Sequence, residues 1–206
     1  LDYVYDLAQL VEQESLQPVN IVAHSMGGTI ASLFAGVFPE KVASLISVEG
    51  VGGYWYYNDT ETDTKSQIRS WIDTTRHLAG RTPRKYPDLS DAFHRMQKSN
   101  PHLSEERARH LTIHGSNRNE DGTYTWKFDN YTHSRSPFSL GYDEMTRLWE
   151  NITCPTLLLN ATQGFAHRIG QDGTDRHFSD AELVNIENAG HWLHHDQFAE
   201  FIDNVK

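Results

Sequence analysis

The stretch Ala23-His24-Ser25-Met26-Gly27-Gly28 constrains this chain more than any other. It follows the apolar run 19–23 and precedes a helical stripe of Ile30, Leu33, Phe34 and Val37, so a serine stands at a strand-to-helix switch. So sharp a turn is strained, and glycine at 27 and 28 avoids collisions between a side chain and neighbouring backbone. The turn lifts the Ser25 hydroxyl clear of the strand, and the Met26 amide points to where an oxyanion would form. Ala23 holds the first small position, where glycine is the commoner choice. Ser25 is therefore a candidate nucleophile.

Periodicity extends this unit in both directions. Val4, Leu7, Ala8 and Val11 recur at helical spacing and predict a helix over 1–15, stopped before Pro18. Pro39 closes the helix after Ser25, and 42–48 reads as a second buried strand ending at Glu49-Gly50. Strand, helix and strand in that order predict a right-handed parallel crossover. Further strands are expected over 155–160 and 183–186, and Phe198, Phe201, Ile202 and Val205 form the apolar face of a closing helix. Between these ends the chain is polar and rich in Tyr, Trp, His and Arg, with helix-like pieces near 65–79, 88–98 and 104–113. The expected organisation is a core over 1–51, a mostly helical insertion over 52–150, and a second core part over 151–206.

A net charge of -10 argues against nucleic acid as a partner, because phosphates would be repelled. No apolar run is long enough to span a membrane. The single Cys154 excludes an internal disulfide and fits a reducing compartment, so a cytoplasmic protein is expected. The N-x-T tripeptides at Asn58, Asn130, Asn151 and Asn160 are read as inert.

A serine hydroxyl needs an imidazole to take its proton, and the imidazole needs a carboxylate to orient it. The histidine candidate is His191, in Ala189-Gly190-His191-Trp192 after the last strand, at the sheet edge where ligand-facing residues gather. His24 is read as structural. His194 and His195 mimic a metal-binding face, but without carboxylates they read as a solvated helix start, and no metal is expected. Tyr54, Trp55, Tyr56 and Tyr57 suit either a pocket mouth or the packing of the insertion onto the core. Trp126, Phe128, Tyr131 and Phe138 suit core or pocket wall, with core the first reading, and Arg135 and Arg147 suit surface ion pairs before an anion site.

Residues 23–28, Phe38-Pro39-Glu40-Lys41-Val42, Cys154-Pro155-Thr156-Leu157-Leu158-Leu159 and Gly190-His191-Trp192 together resemble the carboxyl-terminal part of an α/β-hydrolase fold protein. The resemblance is to the esterase-like group with a lid. It covers both ends of the chain and hardly touches 52–150, which corresponds to that family's variable lid. It implies an α/β fold whose mostly parallel sheet brackets a helical lid, with about four amino-terminal strands not represented here. The missing part includes the loop carrying a second oxyanion amide, so only Met26 is named as donor. A longer protein, self-association or a second chain would then complete the sheet.

The resemblance also bears on the acid. The family usually carries it shortly after the strand matching 155–160, where this chain has Gly164. Haloalkane dehalogenases instead place it at the end of the strand after the nucleophile helix, where this chain has Glu49. Glu49 is the first candidate, with Asp172 and Asp175 in reserve. The implied activity is that of a carboxylesterase- or lipase-like serine hydrolase acting on a small acyl substrate without a cofactor. A serine nucleophile argues against dehalogenase and epoxide hydrolase chemistry, which pass through an aspartyl ester that water can cleave. The alternative is an incomplete, inactive domain serving as a binding or assembly unit.

Overall fold

In the computed structural model, the described residues are 1–51, 63–129, 140–165, 169–171 and 173–206. Two compact units divide the chain: Leu1–Asn58 with Leu140–Lys206, and Asp59–Ser139.

The first unit contains a four-stranded parallel sheet built from β1 (Val19–His24), β2 (Val42–Val48), β5 (Thr156–Ala161) and β6 (Ala181–Ile186), in the order β1-β2-β5-β6. Alternation along the strands sends side chains to two apolar layers. Leu45 and Leu158 face a cluster with Phe34, Met145 and Trp149. Val48, Leu159, Ala161 and Ile186 face the opposite cluster with Leu193 and Phe201. Helices therefore cover both faces: α1 (Asp2–Gln13), α2 (Met26–Val37) and α6 (Tyr142–Glu150) on one, and α7 (Leu193–Asp196) and α8 (Phe198–Val205) on the other. β1 is an outer strand of this sheet, and its Val22 is 56% exposed. Among the described residues no helix is long and apolar enough to cross a membrane.

The sequence pattern assigned 142–150 to the insertion, but the structure packs this helix with the sheet-bearing unit. Its composition is polar, yet Met145 and Trp149, four residues apart on one face, are buried in the same cluster as Phe34. Tyr54 to Tyr57, Tyr131, Arg135 and Phe138 lie outside the described residues.

The second unit holds α3 (Thr64–Ala79), α4 (Leu89–Ser99), α5 (Glu105–Gly115) and a hairpin of β3 (Ser116–Arg118) and β4 (Tyr124–Trp126). Each helix starts on a side-chain cap: Asp63 accepts from the Lys65 and Ser66 amides, Asp88 from Asp91, and Ser104 from Arg107. The hairpin was not foreseen. It is held from outside, by two backbone bonds between Tyr86 and Tyr124 and by the Trp126 indole donating to the Tyr86 hydroxyl. Phe128, read as core before pocket wall, is 54% exposed.

Candidate active site

Strand register decides where the site lies. His24 pairs with Val48 and Val48 with Leu159, so β1, β2 and β5 finish side by side, and the residues that follow them share one edge. Ser25 and Glu49 are those residues after β1 and β2. Both take positive φ, 56° at Ser25 and 51° at Glu49, so both chains turn abruptly as they leave the sheet. Non-glycine residues there are strained by on the order of 1–3 kcal/mol, held by surrounding structure. That restraint is visible: the Ser25 amide donates to the Val48 carbonyl and the Glu49 amide to Leu159, both at 2.8 Å.

The two turns press together. A Cβ on Gly28 would lie 2.8 Å from the Gly50 Cα, so neither position has room for a side chain. Gly27 differs from expectation, since a Cβ there would meet only the Ala23 Cβ at 3.9 Å. The tight constraint of this turn falls on the second glycine.

His191 arrives on the loop after β6, and that loop is pinned on both sides. The Gln163 amide donates to the Ala189 carbonyl at 3.0 Å, and the Gly190 amide to Asp196 Oδ2 at 2.9 Å. His191 Nε2 lies 2.8 Å from Ser25 Oγ, and Nδ1 lies 3.4 Å from Glu49 Oε2. With the ring proton on Nδ1, where the carboxylate accepts it, Nε2 is left to accept from the serine hydroxyl. The Nδ1 contact is at the long end of hydrogen-bonding range, as such contacts often are before substrate arrives.

Glu49 is the buried member, its side chain only 1% exposed. A carboxylate held so far from water requires donors. It has the Ala161 amide on Oε1 at 2.6 Å and the Phe165 amide on Oε2 at 3.2 Å, besides the imidazole. Gly164 lies between these donors, and a Cβ placed on it would run into the Glu49 carboxylate. The loop after β5 and the end of β2 thus converge on one spot, and glycine on the loop leaves it to the glutamate. Asp175 lies in the 3-10 turn Thr174–His177, and Asp172 lies outside the described residues.

Of two further neighbours, Phe165 was missed by sequence reasoning and His24 was read only as structural. Phe165 supplies an amide to Glu49 and sets its ring 4.1 Å from that of His191. No sequence pattern marks it, because its role comes from loop conformation. His24 donates from Nε2 to the His191 carbonyl at 2.8 Å, and its ring lies 4.6 Å from both His191 and His194. His194 and His195 are half-buried rather than solvated. Among the described residues no three His, Cys, Asp or Glu side chains come together in a way that could hold a metal ion.

Burial lowers the His24 imidazole below its ordinary 6.5, while its bond to the His191 carbonyl and the Glu49 charge pull the other way. Unfolding removes the burial, so the unfolded chain takes up this proton more readily. The contribution to stability is complete above pH 6.5 and is lost as pH falls below it. His24→Gln, which keeps a donor without the titration, is expected to lose Tm less steeply than the parent between about pH 7 and about pH 5. Parallel slopes in a thermal-melt series would contradict this.

A strand-turn-helix serine, an imidazole from the last loop and a buried carboxylate at one edge of a parallel sheet define a hydrolase-type α/β architecture. The family model described as alpha/beta hydrolase fold matches residues 1–198, and the chain belongs to that family. It is 25% identical over 203 residues to a serine hydrolase-like protein of Danio rerio, covering 92% of this chain and 60% of that protein. It is 27% identical over 201 residues to a mouse (Mus musculus) protein named sn-1-specific diacylglycerol lipase ABHD11, covering 97% of this chain and 62% of that one. The crystal structure of the hypothetical protein PA1622 from Pseudomonas aeruginosa PAO1 superposes with a TM-score of 0.85 at 24% identity, over 99% of this chain and 71% of that one. The chain thus spans about three-fifths of the length of these curated relatives.

Proposed function

We propose that the chain carries the catalytic residues of a serine hydrolase that cleaves a carboxylic ester or related acyl compound through an acyl-enzyme. The observation that carries this reading is the 2.8 Å approach of His191 Nε2 to Ser25 Oγ. Ser25 Oγ attacks the acyl carbon while Nε2 takes its proton, and Glu49 holds Nδ1–H and stabilises the imidazolium that forms. The carbonyl oxygen becomes an oxyanion facing the Met26 amide. Met26 opens α2, where first-turn N–H groups have no carbonyl within the helix to bond. The intermediate collapses, His191 returns the proton to the departing alkoxide, and an alcohol leaves. Water, deprotonated by the same Nε2, then attacks the acyl-serine, and a carboxylic acid leaves as Ser25 is regenerated.

The ester class draws support from the mouse relative, whose name is that of a lipase. A second reading is a domain that serves in binding or assembly and performs no chemistry. An alkyl fluorophosphonate separates the two. It should add one phosphonyl group per chain, mapped to the Ser25 peptide by mass spectrometry and absent from Ser25→Ala. A folded parent that resists the reagent would leave only the assembly reading standing.

A further inference from the structure

The net charge of the chain hides an uneven distribution. Residues 63–129 hold 12 of the 18 Lys and Arg but only 9 of the 28 Asp and Glu. Much of that excess gathers around a cleft within the second unit. Its first part has a volume of about 360 Å³, with the segment 84–87 on one side and the Asp91, His94, Arg95 and Lys98 face of α4 on the other. A second part of about 180 Å³ shares Arg84, Tyr86 and Arg95 with the first and adds Arg81, Trp126 and Phe128.

The walls are built rather than incidental. The 84–87 segment is pinned by the reciprocal backbone bonds of Tyr86 with Tyr124, and the buried Tyr86 ring carries the Arg84 guanidinium 5.3 Å from its centroid. α4 turns Ala92 and Phe93 inward, which directs its cationic face to the cleft. Lys85 is neutralised by Asp121, at 2.5 Å. Among the described residues no carboxylate pairs with Arg81, Arg84, Arg95 or Lys98, and Asp91 is the one acidic group on the walls. Several like charges around a concavity repel one another, and a bound anion relieves that repulsion.

We propose that this cleft binds a nucleoside phosphate, with the phosphate groups between Arg84, Arg95 and Lys98 and the base in the part walled by Trp126 and Phe128. Three features select this class. Planar guanidinium forks match phosphate oxygens in pairs, which single carboxylates would not fill. Aromatic walls accept a flat ring at little cost in ordering, and Arg adds stacking of its own. The site is concave and of small-molecule size, whereas a surface for an anionic bilayer would project outward.

Calorimetric titration of the full chain with ADP, pyrophosphate and adenosine tests the assignment. ADP should bind more tightly than pyrophosphate, and adenosine should give no heat of binding. Arg84→Gln with Arg95→Gln, both exposed positions, should weaken ADP by about tenfold or more. Asp91→Asn, which removes the opposing carboxylate, should tighten ADP severalfold. Any of four results would overturn the proposal: no ADP binding by the parent, equal affinity for ADP and pyrophosphate, undiminished binding by the double variant, or no gain in Asp91→Asn. Binding of phosphatidylglycerol vesicles through these arginines without competition from ADP would also overturn it, and would assign the cleft to a membrane surface.

Discussion

Ser25→Ala is expected to lower turnover of p-nitrophenyl butyrate by about 10⁴-fold or more, while the variant stays folded. Under the proposed mechanism, removing Oγ deletes the atom that bonds to the acyl carbon and leaves His191 with nothing to deprotonate but water. The residual rate would be that of a site which still binds ester and still offers the Met26 amide to an oxyanion. Folding should survive because the Ser25 backbone makes the structural bonds, its amide to Val48 and its carbonyl to the amides of Gly28 and Thr29. His191→Ala should lose a comparable factor, and the double variant little more than either alone, since the two groups act as one unit. Additive losses in that cycle would mean that the two residues work separately.

Glu49→Gln is the second large effect, with kcat expected to fall by about 10³- to 10⁴-fold and KM to move little. The amide is nearly isosteric, but its NH₂ cannot accept the Nδ1 proton, so the ring is driven toward the tautomer with Nε2 protonated. That form cannot take a proton from Ser25. The carboxylate also serves two backbone donors, Ala161 and Phe165, so the variant leaves one of them mismatched and should melt lower.

Gly164 supplies an independent check. Gly164→Ala sets a methyl against the carboxylate and should cost about 1–3 kcal/mol of stability, together with about a hundredfold of kcat through displacement of Glu49. In the converse experiment the acid moves across the shared space. Glu49→Gly suits the positive φ at 49, and Gly164→Asp combined with it should recover at least about tenfold of the activity lost in Glu49→Gly alone. Recovery is the discriminating result, because a merely structural Glu49 predicts none.

Much of this architecture is written locally. The 3.6-residue stripes of α1 and α2 and the apolar runs of β1, β2 and β5 read directly from short windows, and so does the strained serine turn between β1 and α2. The helices near 65–79, 88–98 and 104–113 were equally readable, because each carries its own cap and period. The β3–β4 hairpin was not: Ser116–Arg118 and Tyr124–Trp126 are three-residue strands without alternation, held by Tyr86 from outside. α6 was misassigned because polarity dominates its composition, while only two turns of one face reach the core.

Residue identity alone named Ser25 and His191, since few arrangements explain a serine at such a turn and a histidine after the last strand. For the partner of that histidine the family resemblance put Glu49 first, but chain order kept Asp172 and Asp175 in reserve, because spacing alone does not show contact. Strand register brought Glu49 within reach of His191, and two loop amides with a bare glycine between them made room for its charge. Contacts between residues more than a hundred positions apart depend on how strands stack, and no local window holds that information. The same limit hid the basic cleft, which vanishes in a net charge of -10 and emerges only when α4 and the 84–87 segment face each other.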